Sequence, residues 1–318
     1  MPSEFEIIAR YFSPPTTHTV LAGGDDAALI RVPPGMELAV STDVLVGGRH
    51  FFADADPYGV GWKSLAVNLS DLAAMGAVPR WATLSVVFPR ADEEWIARFA
   101  NGFLDLGREY DIDLVGGDTT SGPLSVCVQI MGLVPAGRAL RRSGARPGDE
   151  VWVSGTLGDA ALAVAYRRGD FELRGADRDF ALHRLDRPQP RVALGCALVG
   201  LATSAIDISD GLAADLGHVA ERSGVRAVVS WHQTPLSAVV LRYRDYPLVR
   251  ECALAGGDDY ELCFTVAPGH DRELAELSSR LGVALTRIGR IEAGAGVTVL
   301  DDKGHPLDLK VKGFDHFA

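Results

Sequence analysis

Six short segments of the chain place aspartate beside glycine or a hydroxyl residue: GGDD (23–26), STD (41–43), NLSD (68–71), GGDT (116–119), DISD (207–210) and GGDD (256–259). Several follow an apolar stretch that reads as a strand, which puts the aspartates at strand ends, where a shared site could gather them. Carboxylates packed close together repel one another and take up protons unless opposite charge balances them. Hard oxygen ligands of this kind suit magnesium, which binds through a few carboxylates, waters and substrate phosphates. The pattern therefore points to a metal-dependent phosphate enzyme. Any single segment, taken alone, reads better as a turn or a helix cap; the recurrence carries the argument.

At 318 residues the chain exceeds the size at which one core grows comfortably, and two domains are expected. The net charge of −11, with no run of Lys and Arg, argues against a nucleic-acid surface. The start, MPSEFEIIAR, lacks the pattern of a secretory signal, and no apolar run approaches the length of a membrane span. Cys127, Cys196, Cys252 and Cys263 are dispersed without paired spacing and read as buried thiols of a cytoplasmic protein.

Residues 38–43 read as a buried strand, followed by the glycine turn VGGRHF. A helix is expected from about Tyr58 to Met75, closed by Gly76 and Pro79. On it Ser64, Asn68 and Asp71 form a polar stripe beside the apolar stripe Leu65, Leu69 and Leu72. A solvated face would explain the polar stripe equally well. Trp81–Phe88 reads as a strand, and 92–110 as a helix capped by Asp92 with Trp95, Phe99, Phe103 and Leu106 on its core face. Leu114 and Val115 form a short strand running into GGDT, and Val126–Val134 a strand buried on both faces. The Gly-, Pro- and Arg-rich segment 135–149 marks a domain boundary.

Beyond it come a strand at 150–154, helices at 157–168 and 190–203, and a polar connection near 170–187. Ala205–Ile208 enters DISDGL, and Ser209 or Asp210 is expected to cap the helix Leu212–Arg222, making its N-terminus a phosphate-binding point. Strands are expected at 226–230, 260–266 and 285–291, and a helix at 270–281. NLSDLAAMG (68–76) and DISDGLAADLG (207–217) resemble each other, which hints at two related halves or at chance.

No G-x-x-x-x-G-K-[ST] loop, protein-kinase signature, G-x-S-x-G elbow or HExxH zinc pattern is present. The ordered set GGDDAA, STDVLVGGRHF, NLSDLAAMGA, LVGGDTT, RSGARPGD, DISDGL, GGDDYEL and GFDHF does, however, resemble the thiamine-monophosphate kinases. That family belongs to the aminoimidazole ribonucleotide synthetase-like superfamily, and the resemblance spans nearly the whole chain. It implies an α/β (α+β) fold of mixed sheets packed with helices. An N-terminal ATP- and Mg-binding domain (1–137) and a C-terminal α/β domain (138–318) are implied, with N-terminal sheets pairing in a homodimer. The strands at 81–88 and 126–134 are compatible with such an interface and equally with a monomer core.

The implied reaction moves the γ-phosphoryl group of ATP to thiamine monophosphate. The acceptor is already an anionic phosphate oxygen, so no residue is assigned as general base. By motif, the resemblance implies metal ligation by Asp26, Ser41, Thr42, Asp43, Asp71, Asp118, Asp207 and Asp210, with several magnesium ions. Gly117, Asp118 and Ser209 would approach the nucleotide, and Arg142 would pair with its phosphates, although a solvent-facing linker arginine is the competing reading. His50 would contact the thiamine phosphate, and Asp258 and Phe314 the thiamine part, Phe314 by stacking. Asp25 and Asp259 read as turn residues.

Three superfamily rivals are disfavoured by resemblance. A selenophosphate synthetase would carry a reactive cysteine near its N-terminus, whereas the first here is Cys127, and a hydrogenase-maturation relative would end in cysteine, whereas this chain ends HFA. Aminoimidazole ribonucleotide synthetase is opposed by STDVLVGGRHF and GFDHF. From another class, a cation-binding scaffold is opposed by acids that lack EF-hand spacing and spread along the chain.

Overall fold

The computed structural model describes residues 3–309. The chain divides into two compact units, Met1–Leu72 with Ala77–Gly137 and Ala73–Gly76 with Arg138–Ala318. Each contains one mixed sheet.

The first unit is built from α1 (Glu4–Tyr11), β1 (Met36–Val46), α2 (Pro57–Ala74), β2 (Val78–Phe88), α3 (Glu93–Glu109), β3 (Asp113–Ser121) and β4 (Ser125–Pro135). Its strand order is β1-β4-β2-β3, with only the β2 and β3 pair parallel. The apolar stripe expected on α2 is fully buried, Leu65 and Leu69 at 0% exposure and Leu72 at 1%; each contributes about 1.5–3 kcal/mol through that burial. Two glycines let α2 and α3 touch. A Cβ on Gly61 would lie 2.0 Å from the Phe99 carbonyl oxygen, and one on Gly102 2.0 Å from that of Tyr58. The Asp92 carboxylate caps α3 by accepting from the Trp95 N–H at 3.3 Å.

Strand alternation gives this sheet two different faces. Ala82, Leu84, Val86 and Phe88 are buried, and Phe88 packs edge-on against Trp95 and Phe99 of α3. The opposite face is covered at one end, where Trp81, Val115, Met131 and Leu133 meet Ala28, Ile30 and Met36. Along β1, Leu38, Val40, Val44 and Val46 remain exposed. The Val126–Val134 strand is buried on both faces only from Ile130 to Val134, because Gln129 is exposed and Cys127 half-buried. Of the four thiols, Cys252 and Cys263 are buried as expected, whereas Cys127 and Cys196 are half-buried.

The segment before Asp26 is tied down by Asp113. Its buried carboxylate accepts from the N–H groups of Thr17 (2.8 Å) and His18 (2.7 Å) and from the Thr19 hydroxyl (2.6 Å). These four-residue contacts substitute for secondary structure in a stretch that otherwise has little.

The second unit comprises β5 (Glu150–Ser154), α4 (Asp159–Arg168), α5 (Gly175–Asp186), α6 (Val192–Leu198), β6 (Ser204–Asp207), α7 (Leu212–Ser223), β7 (Arg226–Ser230), α8 (Ala238–Arg242), α9 (Pro247–Ala255), β8 (Leu262–Val266), α10 (Asp271–Leu281), β9 (Leu285–Glu292) and β10 (Gly296–Leu300). The strand order is β10-β7-β9-β5-β8-β6, parallel only between β10 and β7. Every residue of β8 is buried, which reads as a central strand covered on both faces. Leu212, Leu216, Val219 and Ala220 of α7 pack at helical spacing into a core shared with Val151, Val153, Ile206 and Val229.

The expected polar connection at 170–187 is largely the helix α5. Its buried stripe is Asp177, Ala181 and Leu185, and the acid is compensated by Arg242 Nη1 at 2.7 Å and the Tyr243 hydroxyl at 3.1 Å. The hint of duplication fails at its own motifs: NLSDLAAMG lies mainly within α2, whereas DISDGLAADLG runs from the end of β6 through a turn into α7.

Candidate functional site

In the first unit, β1 and α2 bring three of the expected ligands together. Ser41 and Asp43 share the side of β1 that meets α2, where the Ser41 hydroxyl donates to Asp71 and the Asp43 N–H donates to Asn68 Oδ1 at 3.1 Å. Asn68 in turn donates to the Ser64 carbonyl at 3.0 Å. Ser64 and Asn68 are both 0% exposed, so the polar stripe of α2 is a buried bracket and not a solvated face. Thr42 points to the opposite, exposed side of the strand, away from Ser41 and Asp43.

Asp118 stands apart. The register runs Asp43 to Val128, Val128 to Leu84 and Leu84 to Gly117, so three inter-strand spacings, about 14 Å, separate the β1 acid from GGDT. Asp118 pairs across from Ser85, on the exposed face, while its Oδ1 accepts from the Thr119 N–H at 2.9 Å. GGDT is part of strand β3 and not a turn following it. Gly23 lies beside this strand, 3.9 Å by its Cβ position from the Val115 carbonyl oxygen, and Asp26 in the same loop is exposed. Among the described residues, no group of three or more His, Cys, Asp or Glu is already gathered to hold a metal ion.

His50 closes the turn after β1. The Val46 N–H donates to its Nδ1 at 2.9 Å, so the neutral ring carries its proton on Nε2, a donor suited to a phosphate oxygen.

The second unit juxtaposes DISD and GGDD. The Asp258 N–H donates to the Ser209 carbonyl at 2.9 Å, and the Tyr260 N–H to that of Ile208 at 2.8 Å. Glycine permits this approach: a Cβ on Gly257 would lie 2.2 Å from the Ser209 carbonyl oxygen. Asp207 is buried at the end of β6, while Ser209, Asp210 and Asp258 are half-buried.

The expected cap of α7 is replaced. Gly211 occupies the N-cap without a side-chain bond, and neither Ser209 nor Asp210 serves. Instead Asp215 reaches back from the first turn, and one oxygen, Oδ2, accepts the N–H groups of Ser209 (3.0 Å), Asp210 (3.0 Å) and Gly211 (3.1 Å). Those amides are therefore engaged by an internal carboxylate and do not form the anticipated phosphate cradle. Burial, and then the neighbouring Asp210 charge, push the Asp215 carboxyl up to about 7.

Asp259 and Glu261 were not anticipated as structural acids. Asp259 is 2% exposed, and both its oxygens accept from the Gly158 N–H at 3.0 Å; burial pushes its carboxyl well up. Glu261 is 0% exposed and accepts from Ser154 Oγ (2.6 Å), Arg184 Nη2 (3.0 Å) and Arg191 Nε (2.6 Å). Breaking a buried pair of this kind costs about 3–5 kcal/mol.

Arg142 is exposed, with its carbonyl accepting from Ser223 Oγ at 3.3 Å. Phe314 and the GFDHF segment lie outside the described residues.

Residues 24–134 match the AIR synthase related protein family in its N-terminal domain, and 146–302 match the C-terminal domain. The thiamine-monophosphate kinase of Escherichia coli K12 is 46% identical over 320 residues, covering 99% of this chain and 98% of that protein. A crystal structure of thiamine-monophosphate kinase from Stenotrophomonas maltophilia superposes with a TM-score of 0.86 at 47% identity, covering 95% of each chain. A structure of AaThiL complexed with AMPPCP and TMP superposes with a TM-score of 0.78 at 34% identity, covering 92% of this chain and 91% of that one.

Proposed function

We infer the activity from the premise that this chain belongs to the thiamine-monophosphate kinases of the AIR synthase related family. It is an ATP-dependent kinase that phosphorylates thiamine monophosphate to thiamine diphosphate, releasing ADP. The observation that carries this reading is the full-length likeness to AaThiL, whose structure holds AMPPCP and TMP.

The chemistry asks for positioning and charge neutralisation, because two anionic phosphates must approach and the attacking oxygen needs no deprotonation. His50 Nε2–H would donate to the acceptor phosphate, held in that tautomer by the Val46 N–H. Gly117, Asp118 and Ser209 would approach the nucleotide, and Arg142 would pair with its phosphates. Asp258 and Phe314 would hold the thiamine part. Ser41, Asp43 and Asp71 would offer hard oxygens suited to magnesium, and Asp26, the Thr42 carbonyl, Asp118, Asp207 and Asp210 would hold further ions. Bound magnesium would supply neutralisation of the phosphate oxygens as the two substrates meet. With purified protein and magnesium, ADP release is expected to require thiamine monophosphate and not to respond to free thiamine or aminoimidazole precursors. ATP turnover indifferent to thiamine monophosphate would overturn the assignment.

We also propose a homodimer in the cytoplasm. The free thiols suit a reducing compartment, and among the described residues no helix is long and apolar enough to cross a membrane. For pairing, the exposed apolar stripe Leu38, Val40, Val44 and Val46 on edge strand β1 is the supporting surface, in place of 81–88, whose Leu84, Val86 and Phe88 are already buried. Sedimentation at micromolar concentration is expected to give a dimer, and Val40→Glu with Val44→Glu a monomer of reduced turnover. A wild-type monomer with full activity contradicts the pairing.

A further inference from the structure

The turn at 256–261 is held in a conformation that its own residues resist. Asp258 and Tyr260 have φ of 68° and 50°, in the left-handed region that side-chain-bearing residues disfavour. Such a turn persists only where its surroundings over-determine it. On one side the Asp258 N–H is fixed to the Ser209 carbonyl at 2.9 Å. On the other, Glu261 is gripped within the fold by Ser154, Arg184 and Arg191, the last through both Nε and Nη2. Between these anchors the Tyr260 hydroxyl donates to Asp258 Oδ1 at 3.1 Å. The two guanidinium groups come from the end of α5 and the residue before α6, a stretch with no motif of its own. Their side chains are only 13% and 18% exposed, and Arg184 also lies 3.9 Å from the buried Asp159.

We propose that Arg184, Arg191 and Glu261 act as positioning residues for the acceptor: they hold the strained turn so that Asp258 presents its carboxylate to the thiamine part. This rests on the assignment of Asp258 to the substrate. A clamp of this kind acts on acceptor affinity more than on the chemical step, because it fixes a binding group rather than the phosphoryl path.

The test is steady-state kinetics of the full chain carrying Arg191→Met, with circular dichroism and thermal melting to establish folding. KM for thiamine monophosphate is expected to rise about tenfold, with kcat and the KM for ATP changed less than about threefold. Arg191→Lys, which keeps the charge but loses the two-pronged contact, is expected to recover part of the loss. Should Arg191→Met not fold, Arg191→Lys carries the test through the same selective rise in KM. A folded variant in which both KM values rise together, or neither does, overturns the proposal. Asp258→Ala measured in parallel separates the two levels: if it leaves KM for thiamine monophosphate unchanged, the Asp258 assignment itself falls. If Asp258→Ala raises that KM while the Arg191 variants do not, only the clamp falls.

Discussion

Asp210→Asn is expected to lower kcat about a thousandfold while the chain stays folded. The expectation follows from how the turn is built. The Asp210 backbone is fixed by its N–H bond to Asp215 Oδ2, which the substitution leaves in place. Asparagine matches the shape of aspartate but removes the anionic oxygen that a hard cation prefers. The substitution therefore separates ligand chemistry from folding. Unfolding by heat or denaturant should leave the midpoint close to that of the parent, while activity assays at saturating ATP and magnesium show the loss. Retained turnover would remove Asp210 from the proposed metal set. A large fall in the melting midpoint would show instead that the carboxylate has a structural partner that matters more.

The regular elements were legible because periodicity is local. Leu65, Leu69 and Leu72 announce the buried side of α2, and Asp92 announces the start of α3, from information within a few residues. Even α1 carries a local signal, the reciprocal Ser3 and Glu6 capping box. The failures share another cause. Asp177 interrupts the apolar stripe of α5, and its compensation comes from Arg242 and Tyr243, far along the chain. The cap of α7 depended on which of several nearby polar side chains could reach three successive amides after the chain turns at Gly211, where φ is 112°. Asp215 wins from inside the helix, and sequence spacing alone does not rank it above Ser209 or Asp210.

The candidate site shows the same division. The acid motifs mark the segments where Ser41 and Asp43 meet α2 and where DISD meets GGDD. They did not reveal that alternation turns Thr42 away from Asp43, or that three strand spacings separate Asp43 from Asp118. Nor did they show that Asp259, read as a turn residue, is buried by the fold against Gly158. A motif gives composition at a point in the chain, whereas the strand register and the burial of one neighbour over another are set by elements remote in sequence.

Gly117→Ala is expected to cost about 3 kcal/mol or more, a fall of about 6–12 °C in the melting midpoint. GGDT invites a nucleotide reading for this glycine, but the strand register supplies a steric reason of its own. Gly117 has φ of 150° and faces Leu84 of β2, and a Cβ there would sit 1.8 Å from the Leu84 carbonyl oxygen, 2.5 Å from its carbon and 2.9 Å from its nitrogen. All three are backbone atoms, so no rotamer change relieves the clash, and β3 must separate from β2. Thr119, buried two residues further on, would be drawn out with it. Gly116→Ala is the internal control, because nothing lies within 4 Å of its Cβ position; it should stay within about 0.5 kcal/mol of the parent. Equilibrium unfolding of the two variants decides between the accounts. If Gly117→Ala is as stable as Gly116→Ala but binds ATP more weakly, the steric explanation is wrong and close approach of the nucleotide is what glycine serves there. If it is strongly destabilised, the glycine is required by strand pairing before any ligand arrives.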